Sequence, residues 1–163
     1  LCHEINLPLE MNFEELYNII SETSPQLLEK TLIGLVEKTI KPQKQDDTKA
    51  TSAPKFNKEE AIIDWSKSAS EIHNLVRGIY KAPSAYTHFN GKMIKIMKTL
   101  PLETSLNNEA KSGEVINITK DGIEVSTGSG LLLVQKVKPE GKGEMFARDW
   151  ANGAKIKIGD KYD

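Results

Sequence analysis

Three histidines, His3, His73 and His88, are the first residues to weigh as metal ligands or proton carriers. They fall in three separate segments, and no pair has the H-x-x-x-H spacing that sets two imidazoles on one helix face. His73 sits beside the apolar face of an expected helix, which fits a rim or satisfied core position. His88 shares the side of an expected strand with Tyr86, a pair that reads as barrel surface or as a stacking surface for RNA. Gly128-Ser129-Gly130 and Gly141-Lys142-Gly143 lack the strand–loop–helix setting and the G-x-x-x-x-G-K-[ST] spacing of a phosphate cradle. They are expected to be turn glycines. Asp64 has no companion base or nucleophile in view, and Asp64-Trp65 is expected to lock a first helix onto strands. No G-x-S-x-G elbow accompanies the serines. The expectation is therefore no catalytic residue, no metal site and no cofactor-binding residue in this chain.

What the residue types do offer is positive charge in groups. Lys41, Lys44, Lys49, Lys55 and Lys58 run through one polar stretch and just past it. Lys92, Lys95 and Lys98 recur every three residues on one expected strand, which by strict alternation sends Lys92 and Lys98 one way and Lys95 the other. Lys136, Lys138, Lys142 and Arg148 cluster around a later turn and helix. Such groups neutralise backbone phosphates in a salt-sensitive, sequence-indifferent manner, or simply face water.

Stepping outward to the elements that hold these residues, residues 1–11 read as extended, with Pro8 restricting any strand to an edge. A helix over residues 13–22 places Leu16, Ile19 and Ile20 on one face. Ser24-Pro25 predicts the start of a second helix that carries Leu28, Leu32 and Leu35. Residues 41–55, bracketed by Pro42 and Pro54, hold almost no apolar side chain and read as a linker. Asn57 with Glu60 predicts a short capped helix, and Ser68 with Glu71 a longer one bearing Ala69, Ile72, Leu75, Val76 and Ile79. From Ala85 the pattern turns to strands. Asn90-Gly91 predicts a tight hairpin with a return strand over residues 92–100. A polar loop over residues 103–112 follows, then strands near 115–118, 123–125 and 131–137. A short helix is expected over residues 146–151, stopped by Asn152-Gly153, and a last strand over 155–158. Six short strands with one interposed helix predict a small closed or nearly closed barrel.

Composition agrees with a packed, soluble chain: 163 residues, 38% hydrophobic and 28% charged. No apolar run reaches the roughly 18 residues that span a bilayer, and the start has no secretory pattern. One cysteine, Cys2, leaves no partner for an internal disulfide and favours a cytoplasmic, reducing setting. The net charge of −1 hides a division: residues 1–40 carry two Lys and seven acidic side chains, and the remainder has a net of +4. Two short helices after one strand make no self-sufficient core. That, with a start at Leu1 rather than Met, leads us to expect a piece of a longer chain.

These residues resemble the methionyl-tRNA formyltransferase family. The linker run Gln45-Asp46-Asp47-Thr48 with Ala50 to Lys55 is similar to the family's. So are Lys58-Glu59-Glu60-Ala61, Ile63-Asp64-Trp65, Ala69, Ile72-His73-Asn74 and Arg77-Gly78. Pro83-Ser84-Ala85-Tyr86-Thr87, Gly91-Lys92, Ile94-Lys95-Ile96, Gly113-Glu114-Val115-Ile116, Thr127-Gly128-Ser129-Gly130, Gly141-Lys142, Met145, Asp149 and Asn152-Gly153 follow in register over essentially the whole chain. It departs at Ser52, where Tyr is usual, at Ser84, where Gly is usual, and at Lys81, where Pro is common.

The resemblance implies a parent enzyme that transfers a formyl group from 10-formyltetrahydrofolate to methionyl-initiator tRNA. It implies an α+β, mainly β fold: an OB-like small β-barrel over residues 56–163, a linker over 41–55, and, over 1–40, the strand and helices that end a Rossmann-like formyltransferase domain. The family's catalytic Asn, His and Asp would lie upstream, in a partner catalytic domain, so this portion is expected to be inactive alone and to bind no folate itself. Its expected partner is initiator tRNA, with Lys41, Lys44, Lys92, Lys136, Lys142 and Arg148 as phosphate contacts. The same barrel accompanies other folate-dependent formyltransferases, one acting on a nucleotide sugar and one a formyltetrahydrofolate dehydrogenase. A stand-alone RNA-binding module is the third possibility.

Overall fold

The computed structural model describes residues 1–81, 83–102 and 110–163, in two compact units, Leu1–Phe56 and Asn57–Asp163. The polar loop expected over residues 103–112 falls for the most part on residues outside that description.

In the first unit a single 24-residue helix, α1 (Phe13–Val36), replaces the two expected helices. Its start is set by Asn12, whose side chain accepts from the Glu15 N–H (3.1 Å) while the Glu15 carboxylate accepts from the Asn12 N–H (2.9 Å). Pro25 therefore lies inside the helix, not at its head. The ring costs one backbone hydrogen bond, and the helix continues past it. Lys38 takes a left-handed φ of 58°, and the Thr39 and Ile40 N–H groups return to the Gly34 carbonyl, closing the C-terminal end. Residues 1–11 form no strand, contrary to the expected edge strand; a turn at Leu9-Glu10 precedes the helix. Leu28, Leu32 and Leu35 are exposed. Residues 41–56 are exposed throughout and hold one 3-10 turn, Asp47–Lys49, where the Asp46 carboxylate accepts from the Thr48 N–H and hydroxyl.

The second unit is α+β. The Asn57–Glu60 pair forms only half its expected cap, Glu60 accepting from the Asn57 N–H (2.7 Å), and only a 3-10 turn, Glu59–Ala61, follows. Helix α2 (Ala69–Gly78) begins at the expected Ser68–Glu71 capping box. The strands are β1 (Tyr86–Phe89), β2 (Lys92–Leu102), β3 (Val115–Ile118), β4 (Ile123–Ser126), β5 (Leu131–Pro139) and β6 (Met145–Phe146). Asn90 and Gly91 take φ of 50° and 71°, as the hairpin requires. All pairings are antiparallel in the order β1-β2-β5-β4-β3, with β6 added on β5. Helix α3 (Ala147–Ala154) runs through Asn152-Gly153 and ends where Lys155 turns left-handed, so the expected stop comes two residues late. The strand expected over 155–158 does not form.

The sheet curls into a half-barrel and leaves β1 and β3 at its two ends. The segment after α3 crosses that opening. Gly159 N–H donates to the Val115 carbonyl and Val115 N–H to that of Asp160; Tyr162 N–H reaches Gly113, and Asp163 N–H reaches His88 on β1. The main-chain groups that a last strand would have paired thus find partners on both ends of the sheet. Tyr162 drives this tail inward. It is 1% exposed and stacks on Trp65 with centroids 5.2 Å apart; Phe89 and Trp150 pack against the same ring. Burial pushes the Tyr162 phenol pKa well above its ordinary value. Trp65 Nε1–H donates to Thr87 Oγ1 (3.0 Å), whose hydroxyl donates to the Asp163 main-chain oxygen (2.6 Å). Asp64-Trp65 does not lock a first helix onto the strands as expected: that segment holds only a 3-10 turn, and Trp65 instead clasps β1 and the tail through its indole. Ser84 takes a left-handed φ of 71° while 2% exposed, a backbone conformation that favours glycine.

Candidate functional site

The register of β2 on β5 assembles a basic face that strand alternation alone does not predict. Lys95 lies opposite Lys138, and Lys98 opposite Lys136. Directly opposed residues of antiparallel strands share a face. A register break at Met97, between Ile96 and Lys98, inserts one residue and turns Lys98 onto the side of Lys95. The expectation that Lys98 shares a side with Lys92 is thereby corrected: Lys92 lies before the break, on the side of the buried Ile94 and Ile96. Like charges in direct opposition destabilise a sheet by tenths of a kcal/mol up to about 1 kcal/mol. Two such pairs side by side bring four lysines onto one outer surface.

The lysines on this face differ in their surroundings. Lys95 is half-buried and donates to the Pro83 carbonyl (3.3 Å). Lys136 forms an ion pair with Glu144 (3.2 Å) and lies 5.8 Å from the centroid of the Phe146 ring. Lys98 and Lys138 are exposed. Phe146 is opposite Lys136 across β5–β6, so Lys98, Lys136 and Phe146 make one row over three strands.

The five lysines and one arginine singled out in the sequence are dispersed. Lys92 and Lys142 meet at one cleft of about 370 Å³ between the β1–β2 hairpin, the end of β5 and α3. Phe89, Met93 and Trp150 give it apolar walls, and Asp149 contributes a carboxylate. Lys136 belongs to the outer lysine face. Arg148 is exposed in the first turn of α3, and Lys41 and Lys44 are exposed in the other unit. Lys95, Lys98 and Lys138 were visible in the sequence as basic groups, but nothing local linked residue 95 to residue 138.

The remaining motifs have structural duties. His73 is 3% exposed, with Nδ1 3.0 Å from Thr99 Oγ1. The His88 and Tyr86 rings meet edge to face at 5.9 Å, both half-buried. Gly128 packs flat on the Ser66 carbonyl and donates its N–H to Trp65 and Lys67, while Gly130 and Gly141 hold left-handed turns. The Asp64 carboxylate accepts from the Ser66 hydroxyl (2.6 Å) and N–H (3.0 Å), and these bonds hold its pKa below the ordinary value. Among the described residues no group of three or more His, Cys, Asp or Glu could hold a metal ion, and no helix is long and apolar enough to cross a membrane.

Residues 55–155 match the family described as formyl transferase, C-terminal domain. The chain is 39% identical to a methionyl-tRNA formyltransferase of Clostridium novyi over 97% of its own length and 50% of that protein's. It is 34% identical to a methionyl-tRNA formyltransferase of Bacillus subtilis, over 96% of the chain and 49% of the relative. The chain thus spans about half the length of the curated relatives it matches. Among solved structures, HypX from Aquifex aeolicus superposes with a TM-score of 0.69 at 16% identity, covering 96% of this chain and 28% of that one. An N-formyltransferase from Helicobacter canadensis, solved with folinic acid and dTDP-3-aminofucose, superposes with a TM-score of 0.56 at 17% identity, covering 80% and 46%. At these identities the two structures speak for the fold.

Proposed function

This chain belongs to the formyl transferase C-terminal domain family and is homologous to methionyl-tRNA formyltransferases, and on that premise we propose that it is the portion of such an enzyme that holds the tRNA. In this reading the whole enzyme moves a formyl group from 10-formyltetrahydrofolate to the methionine amino group on initiator tRNA. The bond-making groups lie outside these 163 residues. Residues 1–40 end the catalytic domain, 41–55 link, and 56–163 form an OB-like domain laid against the RNA.

One observation carries the RNA reading: the paired lysines Lys95–Lys138 and Lys98–Lys136 on the outer face of β2 and β5. A nucleic-acid backbone brings negative charge in a row, which matches lysines set in rows on one face. Contacts to phosphate fix position without reading sequence, which suits a domain that carries a substrate to chemistry performed elsewhere.

The test uses the full chain and labelled initiator tRNA, with duplex RNA as control, across a salt series. Binding is expected, with log affinity falling linearly in log salt. Lys98→Gln and Lys138→Gln should each flatten the slope by about 1. Loss of both lysines with no change in affinity or slope would overturn the reading. So would formyl transfer by the purified chain alone with donor and charged tRNA. Binding of a nucleotide sugar in place of tRNA would move the chain to the sugar-modifying branch of the family.

A further inference from the structure

Phe146 is 62% exposed, in a domain that buries its other phenylalanine, Phe89, to 5%. Its position gives it no local duty. It is the N-cap residue of α3, where Ser, Thr, Asp or Asn would satisfy a free N–H, and its side chain makes no capping bond. It is not a member of the core cluster. It does lie in the row that begins with Lys98 and Lys136, on the same outer face, with the Lys136 ammonium 5.8 Å from its ring centroid.

We propose that Phe146 is a stacking platform for an unpaired base of the bound RNA, with Lys98, Lys136 and Lys138 taking the flanking phosphates. The proposal rests on the RNA reading above and makes it more specific. An exposed aromatic ring among lysines matches the two halves of a nucleotide: the π face takes the base, and the ammonium groups take the backbone. Three adjacent strands place the two kinds of contact within about 10 Å of each other. A duplex satisfies only the lysines, because its bases already stack on one another. A single strand, loop or overhang satisfies both. Every base has a π face, so this contact selects unpaired over paired RNA and does not read sequence. Glu144, now the partner of Lys136, competes with the phosphate, and its neutralisation should favour RNA.

The experiment compares a labelled single-stranded oligoadenylate with an RNA duplex of equal length, titrated against the full chain by fluorescence anisotropy. Phe146→Ala should weaken the single strand about tenfold or more and leave the duplex nearly unchanged. Phe146→Tyr should retain the parent's affinity, and Phe146→Trp should add an emission signal that the single strand quenches and the duplex does not. Glu144→Gln should tighten both. If Phe146→Ala binds the single strand like the parent while Lys136→Gln binds it more weakly, stacking is refuted and phosphate contact stands. If the parent binds neither RNA, both readings fall. The side chain is exposed, so the alanine variant should melt with the parent, which a circular dichroism melt verifies.

Discussion

Thr87→Val tests the indole clasp. The two side chains have nearly the same shape, so the substitution removes a hydroxyl from a site that is 0% exposed and leaves the packing close to intact. That hydroxyl serves two partners, accepting from Trp65 Nε1–H and donating to the Asp163 main-chain oxygen. Asp163 is exposed, so water can replace the lost donor there. Trp65 is 5% exposed, and its N–H is left without an acceptor. A stranded buried donor costs about 1–3 kcal/mol, and we expect about 2 kcal/mol. A domain of roughly 100 residues shifts its Tm by about 4–8 °C per kcal/mol, so the expected loss is about 8–16 °C. The two tryptophans, Trp65 and Trp150, both lie in the second unit, so their emission follows that unit's unfolding in urea or heat. A double-mutant cycle with Trp65→Phe isolates the bond. Once the indole N–H is gone, Thr87→Val should cost at least ~1 kcal/mol less than in the parent. A single variant within about 0.5 kcal/mol of the parent, or a cycle with no coupling, would refute the clasp.

Gly128→Ala should destabilise the second unit by about 3 kcal/mol in the same urea assay, because a Cβ would strike the Ser66 carbonyl. Gly143→Ala, with no atom within 4 Å of its would-be Cβ, should stay within about 0.5 kcal/mol; equal effects would discredit the close-approach argument. Glu71 gives a pH signature. The Ser68 hydroxyl and N–H, bonded to its carboxylate, hold its pKa below the ordinary 4.5. A carboxyl with a lowered folded-state pKa adds stability that is complete above 4.5 and fades as pH falls below it. Glu71→Gln should therefore lower stability at neutral pH and lose less than the parent on acidification; parallel pH profiles would count against the capping box.

The second unit was largely legible where the signal is local. Ser68 with Glu71 and Asn90 with Gly91 each encode their geometry within four residues, and both formed as read. Elements whose fate depends on distant partners were not. Pro25 read as a helix start because Ser24 precedes it, but the Asn12–Glu15 box upstream had already set the frame. Residues 155–158 alternate like a strand, yet main-chain partners on both β1 and β3 draw the tail across the gap instead. Gly153 read as a stop, but the left-handed residue that ends this helix is Lys155. The basic face was hidden for two reasons. Its pairs join residues about 40 positions apart, and the inserted residue at Met97 reverses the alternation that a reader must assume. The sequence could count the lysines but could not say which ones face each other.

The tail that crosses from β3 to β1 also bears on how the domain behaves among copies of itself. An open curl has two rims of unpaired amides and carbonyls, each able to template another molecule's backbone. Residues 159–163 cover part of both rims at once, and Ile63 takes a further place by donating to the Tyr86 carbonyl. A handful of main-chain bonds anchored by one buried tyrosine therefore guards against self-association. Loosening that anchor would uncover both rims at the same time as it opened the core.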